Sequence, residues 1–128
     1  MTLRVATVLS AREWESRLVG AARSSATVRL VLRAFLHTEV SDQADNLDVV
    51  VVGSETPWAT TARLIAWRRN GIRVVGVHPT GDRPAAERLR AAEADLVLPD
   101  DLSAEAMLRE IRLIEPAASG MTTKMRTE

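Results

Sequence analysis

Residues 47–53, Leu-Asp-Val-Val-Val-Val-Gly, set four consecutive valines between polar segments. β-Branched side chains are stiff at χ1 and favour strands over helices. A run with no polar position offers no face to water, so the predicted strand is buried on both sides. Such a strand belongs in the middle of a parallel sheet with helices on each face. In open sheets of this kind, chemistry gathers beyond the carboxyl ends of the strands. The stretch to inspect is therefore Gly53 to Trp58. A glycine and a serine stand at the strand end, with Pro57 close behind.

The flanking chain supplies the remaining layers. Leu3 to Leu9 reads as the first strand. Ser10, with Glu13 three residues later, has the pattern of a capping box, and the helix after it carries Trp14, Leu18 and Ala21 or Ala22 on one face. Ala26 to Phe35 is a second strand. Val28, Leu30, Leu32 and Ala34 share one face, and Arg29, Val31, Arg33 and Phe35 share the other, a half-polar pattern suited to a sheet edge. Residues 37–46 leave room for one or two helical turns. Pro57, with Thr56 as a cap candidate, is expected to open a helix that ends at Asn70-Gly71. Ile72 to Val77 is a further buried strand, Pro84 opens a helix to about Ala94, and Asp95 to Pro99 is a short last strand. Ser103 caps a helix bearing Met107, Leu108, Ile111 and Ile114.

Five strands alternate with five helices. Short connections between them imply a parallel sheet wound on both faces. The expected fold is a three-layer α/β, flavodoxin-like arrangement of strand order 2-1-3-4-5. That order makes the second strand an edge and the valine strand the centre. Residues 1–115 form the domain, and 116–128 are expected to be a flexible tail or linker.

Composition narrows the chemistry. The 128 residues suit one core. Net charge is zero, which gives no general attraction to nucleic acid or anionic lipid. There is no cysteine, which removes disulfides, thiol nucleophiles and Cys-based metal sites. No apolar run reaches the length of a membrane span, and the start lacks signal-peptide anatomy. The expected setting is the bacterial cytoplasm.

With this order in place, the chain resembles the receiver domain of bacterial response regulators over about residues 3–115. The likeness rests on pattern and punctuation. That family ends its third strand in a phosphoacceptor Asp with a Pro four residues later, and here Gly53 is followed by Pro57. The family's Thr or Ser at the end of the fourth strand corresponds to His78. Its Lys-Pro pair ending the fifth strand corresponds to Leu98-Pro99, and its acidic pair after the first strand falls near Ser10. All four functional positions, Ser10, Gly53, His78 and Leu98, differ from the family pattern. Gly53 has no carboxylate to accept a phosphoryl group, Ser10 is a poor Mg²⁺ ligand, and Leu98 cannot neutralise charge. The resemblance therefore implies a pseudo-receiver without phosphotransfer chemistry. It is similar to the atypical receiver domains at the N-terminus of pilus-assembly localisation ATPases of the MinD/ParA class, the CpaE/TadZ type. The chain has no Walker loop, so an ATPase would be an attached or separate partner.

Other candidates are weaker. Asp100 and Asp101 follow the last strand, but with Glu55 as the sole neighbouring acid they suit capping and solvation better than a metal site. His78 lies where a base could act but lacks a partner at useful spacing. His37 has less context still. Thr80-Gly81-Asp82 and Gly71 form no nucleotide motif. Arg63, Arg68, Arg69 and Arg73, with Trp67, read as a solvated helix end rather than a nucleic-acid surface. Trp58 either fills the vacated pocket or stands out as an interface anchor, and loss of the polar occupants favours filling. Trp14 reads as core.

No enzyme, metal or cofactor is expected. The leading expectation is a non-catalytic module for contact with a protein partner or with itself. The resemblance places such contact on Leu89, Arg90, Met107, Ile111 and Arg112. The alternative is small-ligand sensing at the strand edge through Ser54, Trp58, His78 and Thr80.

Overall fold

The computed structural model describes residues 2–114. The elements in order are β1 (Leu3–Val8), α1 (Glu13–Arg23), β2 (Val28–Ala34), α2 (His37–Asp42), a 3₁₀ turn (Ala44–Asn46), β3 (Val49–Gly53), α3 (Thr61–Arg69), β4 (Arg73–His78), α4 (Arg83–Ala91), β5 (Leu96–Pro99) and α5 (Ala104–Arg112). The strands form one parallel sheet of order β2-β1-β3-β4-β5. The expected topology is therefore the observed one. The tail expected at 116–128 lies outside the described residues. Among the described residues no helix is long and apolar enough to cross a membrane.

The valine strand divides the core. Val49 and Val51 face one cluster with Trp14, Leu18, Met107 and Ile111. Val50 and Val52 face the other with Leu64 and Trp67. All four valines are fully enclosed, and burying each contributes about 1.5 kcal/mol or more. α1 and α5 thus cover one face, and the helices between β2 and β5 cover the other.

Strand β2 departs from simple alternation. Leu30 pairs with Val5 and Leu32 with Ala6, so Val31 is an extra residue at a bulge. The bulge reverses the faces beyond it. Val28 and Leu30 join the α1–α5 side, whereas Leu32 and Ala34 join the opposite side. Arg33 moves to the α1 side, in register with Thr7. There its Nε donates to Glu15 Oε2 at 2.9 Å, and Nη2 pairs with Oε1. Thr7 Oγ1 also donates to Glu15, at 2.7 Å. Glu15 is 1% exposed, and a charge so enclosed persists only when paired and hydrogen-bonded.

The amino edge of the sheet repeats one device. Asp48 accepts from the Arg4 backbone N–H at 2.8 Å and from its guanidinium. Asp95 accepts from the Val74 N–H at 2.7 Å and from Arg73, and it pairs with Arg68. Each carboxylate satisfies a backbone donor at the start of a neighbouring strand. Arg68 and Arg73 are therefore structural cations, and Arg68 also meets Glu93.

Two helix starts differ from expectation. Helix α3 begins at Thr61, with Thr60 Oγ1 accepting from the Arg63 N–H at 3.3 Å. Turns closed by Thr56 N–H to Gly53 O and Ala59 N–H to Thr56 O occupy the preceding segment, so Pro57 sits in a turn. Helix α1 begins at Glu13. Ser10 Oγ accepts from the Arg12 N–H at 3.0 Å, but Glu13 pairs with Arg17 rather than completing a box.

Helices α3 and α4 end alike. Gly71 follows the first with φ 83°, and Glu93 follows the second with φ 67°. A left-handed backbone suits glycine and strains glutamate. The Arg68–Glu93 pair is exposed and offsets little of that cost. Glu93→Gly is expected to raise stability by about 1 kcal/mol, read as a higher urea midpoint at unchanged slope. An unchanged or lower midpoint would show that the position carries no strain.

Candidate functional site

The carboxyl ends of the strands bring Ser10, Gly53, His78 and Thr80 to one edge, as the topology requires. Gly53 is in register with Val77, and His78 with Pro99. Leu98 is not at the surface of this edge. It is 6% exposed and packs in the core with Val77 and Met107.

The place above Gly53 is occupied by a side chain from two residues later. A Cβ built on Gly53 would collide with the Glu55 carboxylate. Ser10 Oγ donates to Glu55 Oε2 while accepting from Arg12 N–H, so both roles of the hydroxyl are used. The strand end has no side chain of its own, and a carboxylate from the loop stands above it. In the sequence Glu55 stands out only as a weak metal neighbour of Asp100 and Asp101. Its position depends on the absent Cβ at residue 53, a cue that is local in space but not visible in the glutamate itself.

Trp58 does not fill this pocket. Its ring lies 5.7 Å from the rings of both His37 and Trp67, in edge-to-face arrangements of 62° and 86°. It packs against the α3 side of the core and is half-buried. The aromatic neighbour Trp67 draws it there, and Glu55 takes the place it was expected to fill. Arg63 Nη2 lies 3.4 Å from His37 Nε2.

His78 has the ordinary role of a loop histidine. Its Nδ1 is 2.8 Å from Pro79 O. A carbonyl only accepts, so Nδ1 carries the proton. Ser54 extends the sheet through its N–H to Val77 O at 2.8 Å.

The second polar group joins three loops through Asp100. Thr80 N–H and Oγ1 each donate to Asp100 Oδ1 at 3.0 Å. Arg12 Nη2 donates to Oδ2 at 3.0 Å, and Arg17 reaches the Asp100 carbonyl. Asp101 N–H closes the group on Thr80 Oγ1 at 3.2 Å. Burial alone would raise the Asp100 pKa. The Thr80 N–H, the Arg12 guanidinium and the Thr80 hydroxyl together outweigh burial and hold it below the usual carboxylate value. Among the described residues no three His, Asp or Glu side chains converge as metal ligands.

The surface expected for association needs correction. Leu89, Met107 and Ile111 are buried within the monomer. Leu89 lies across Gly76, where a Cβ would meet its Cδ1 at 2.8 Å. Met107 and Ile111 form the inner face of α5. Arg90 and Arg112 are exposed, and Arg112 donates to Thr27 Oγ1 at 3.0 Å. Exposed apolar groups occur elsewhere. Leu9, Phe35 and Leu36 are 42%, 69% and 50% exposed where β1 and β2 end.

No protein-family model and no curated protein matches the chain. Solved structures do. The signal receiver domain of the response regulator NarL from Mycobacterium tuberculosis superposes with TM-score 0.71 at 15% identity, covering 87% of this chain and 94% of that one. The CpaE2 pilus assembly protein from Sinorhizobium meliloti gives TM-score 0.55 at 19% identity, covering 86% and 98%. A pilus assembly-related protein from Burkholderia pseudomallei gives 0.62 at 14%, covering 87% of each. The chain therefore has the CheY-like fold of response-regulator receiver domains. Its structural neighbours include the CpaE2 pilus assembly protein and a pilus assembly-related protein.

The packing over Gly53 gives a double-mutant test. Gly53→Ala is expected to cost up to about 1 kcal/mol, by expelling the Glu55 carboxylate from its hydrogen bond with Ser10. In a Glu55→Ala background the cost should vanish. An equal cost in both backgrounds would place Glu55 elsewhere.

Asp100 gives a test in pH. Its folded pKa is depressed, so its stabilisation is present above the unfolded value, near 4, and is lost as pH falls through the folded value. Asp100→Asn should lower stability by about 1–2 kcal/mol at neutral pH, with the difference from wild type shrinking in acid. Parallel stability-versus-pH curves for the two proteins would refute this.

Proposed function

We propose that this chain is a phosphorylation-independent pseudo-receiver that acts through protein–protein contact, with itself or with an ATPase partner of the kind found in pilus assembly. The observation that carries this reading is the strand end itself. Gly53 offers no acceptor side chain, Glu55 fills the space above it, and Leu98 is core. A receiver that switches needs a charge to arrive at this edge. Here the edge already holds a carboxylate on Ser10 and a closed Arg12–Asp100–Thr80 group.

Contact is supported by the apolar groups at the ends of β1 and β2. Leu9 N–H bonds to Ala34 O, which sets Leu9 beside the start of the Phe35-Leu36 pair. Glu39 Oε1 accepts from both the Phe35 and Leu36 N–H groups, at 2.7 and 2.8 Å. These exposed side chains thus stand on a pinned backbone, as an interface anchor requires. Arg90 and Arg112 remain as the exposed members of the α4–α5 surface.

The experiment is treatment with acetyl phosphate and Mg²⁺, followed by intact-mass measurement and sedimentation across a concentration series. The expected result is no phosphoryl adduct and concentration-dependent association that the treatment does not change. Phe35→Ser with Leu36→Ser should weaken association, and Arg90→Glu with Arg112→Glu tests the other surface. A phosphoryl adduct, including one lost in Glu55→Gln, would overturn the phosphorylation-independent reading. A monomer at every concentration would overturn self-association.

A further inference from the structure

On the side of β3 facing α4, the strand end borders a cleft of about 240 Å³. Gly53, Ser54, Thr56 and Pro57 form one wall, and Arg88 and Leu89 of α4 form the other. The Ser54 and Thr56 hydroxyls and the Arg88 guanidinium make no side-chain hydrogen bond or ion pair within the described residues. Two hydroxyl donors and a free cation therefore border one small space. Residues 49 and 51 face the α1–α5 cluster, so the missing Cβ of Gly53 points to that side, and Glu55 sits there on Ser10. The one carboxylate at this strand end is thus engaged away from the Arg88 wall.

We propose that this cleft binds a phosphate group, as free inorganic phosphate or the phosphoryl end of a small metabolite. A guanidinium presents a planar fork of donors that matches a phosphate edge. The hydroxyls supply donors to the remaining oxygens. Size limits the ligand, since sites for drug-sized molecules measure about 300–1,000 Å³. The space admits an oxyanion, with the rest of any larger ligand outside it. The position also follows the general rule for open parallel sheets, whose ligands lie beyond the strand ends. The site goes beyond the contact role and does not depend on it.

The test is a titration of ¹⁵N-labelled protein with inorganic phosphate, without Mg²⁺, at constant ionic strength held with chloride. Acetate serves as the carboxylate control. Saturable shifts are expected at Ser54, Thr56 and the Arg88 Nε–H. Removing a charged donor should weaken binding roughly tenfold or more, so Arg88→Gln is expected to lose most of the response. Thr56→Val should weaken it less. Arg88 is exposed, so its replacement leaves the fold intact. Absence of saturation up to tens of millimolar phosphate would overturn the proposal. So would an equal response to acetate, or shifts that persist unchanged in Arg88→Gln. A covalent adduct formed from acetyl phosphate would bear on the contact reading alone, because this binding is reversible and needs no Mg²⁺.

Discussion

A strand buried on both faces can carry nothing polar along its length, so its chemistry is confined to its ends. Val49 to Val52 impose that condition on the whole molecule. Helices must cover both sides, and neighbouring strands must run parallel to leave room for them. The backbone donors that the central strands leave at their starts then need partners. Asp48 and Asp95 provide them, each from the residue that precedes a strand. The amino edge is thereby closed by structural ion pairs, and the carboxyl edge is left for variation.

At that carboxyl edge two acids are held in different ways. Asp100 accepts from Thr80 twice and from Arg12, and its own carbonyl takes Arg17. Three loops would have to part for it to leave. Its depressed pKa is the electrostatic expression of the same contacts. Glu55 is exposed and has one side-chain partner, the Ser10 hydroxyl. The first acid fixes the edge, and the second occupies a place that the missing Cβ of Gly53 made available.

Much of this was legible in the sequence. The valine run, the alternation of strands and helices, and the polar pattern of the second strand were enough to derive the order 2-1-3-4-5. Ser103 as the cap of α5 was also readable, because capping is a local interaction. The failures involve contacts distant along the chain. The bulge at Val31 is set by pairing with Val5 and Ala6, and it reassigns Leu32 and Arg33 to faces that strict alternation forbids. Glu15 reads as a surface residue of a helix until Arg33 and Thr7 are brought beside it. Leu89, Met107 and Ile111 were placed on a surface by resemblance, although their own helical spacing fits a core, and the core claims them. For Trp58 the loss of polar occupants favours filling the pocket, whereas its ring follows Trp67.

The single hydroxyl that holds Glu55 has a further consequence. A hydrogen bond of this kind contributes about 0.5–1.5 kcal/mol net, so the seated carboxylate is favoured over released ones by roughly tenfold at most. A phosphoacceptor on the strand itself would have no such freedom, because its backbone is fixed in the sheet. At Gly53 the acid nearest the strand end is therefore a movable one from the loop. On its other side the same glycine forms part of the wall of the cleft bordered by Arg88. The Glu55 carboxylate and the Arg88 guanidinium thus stand on opposite sides of one strand end.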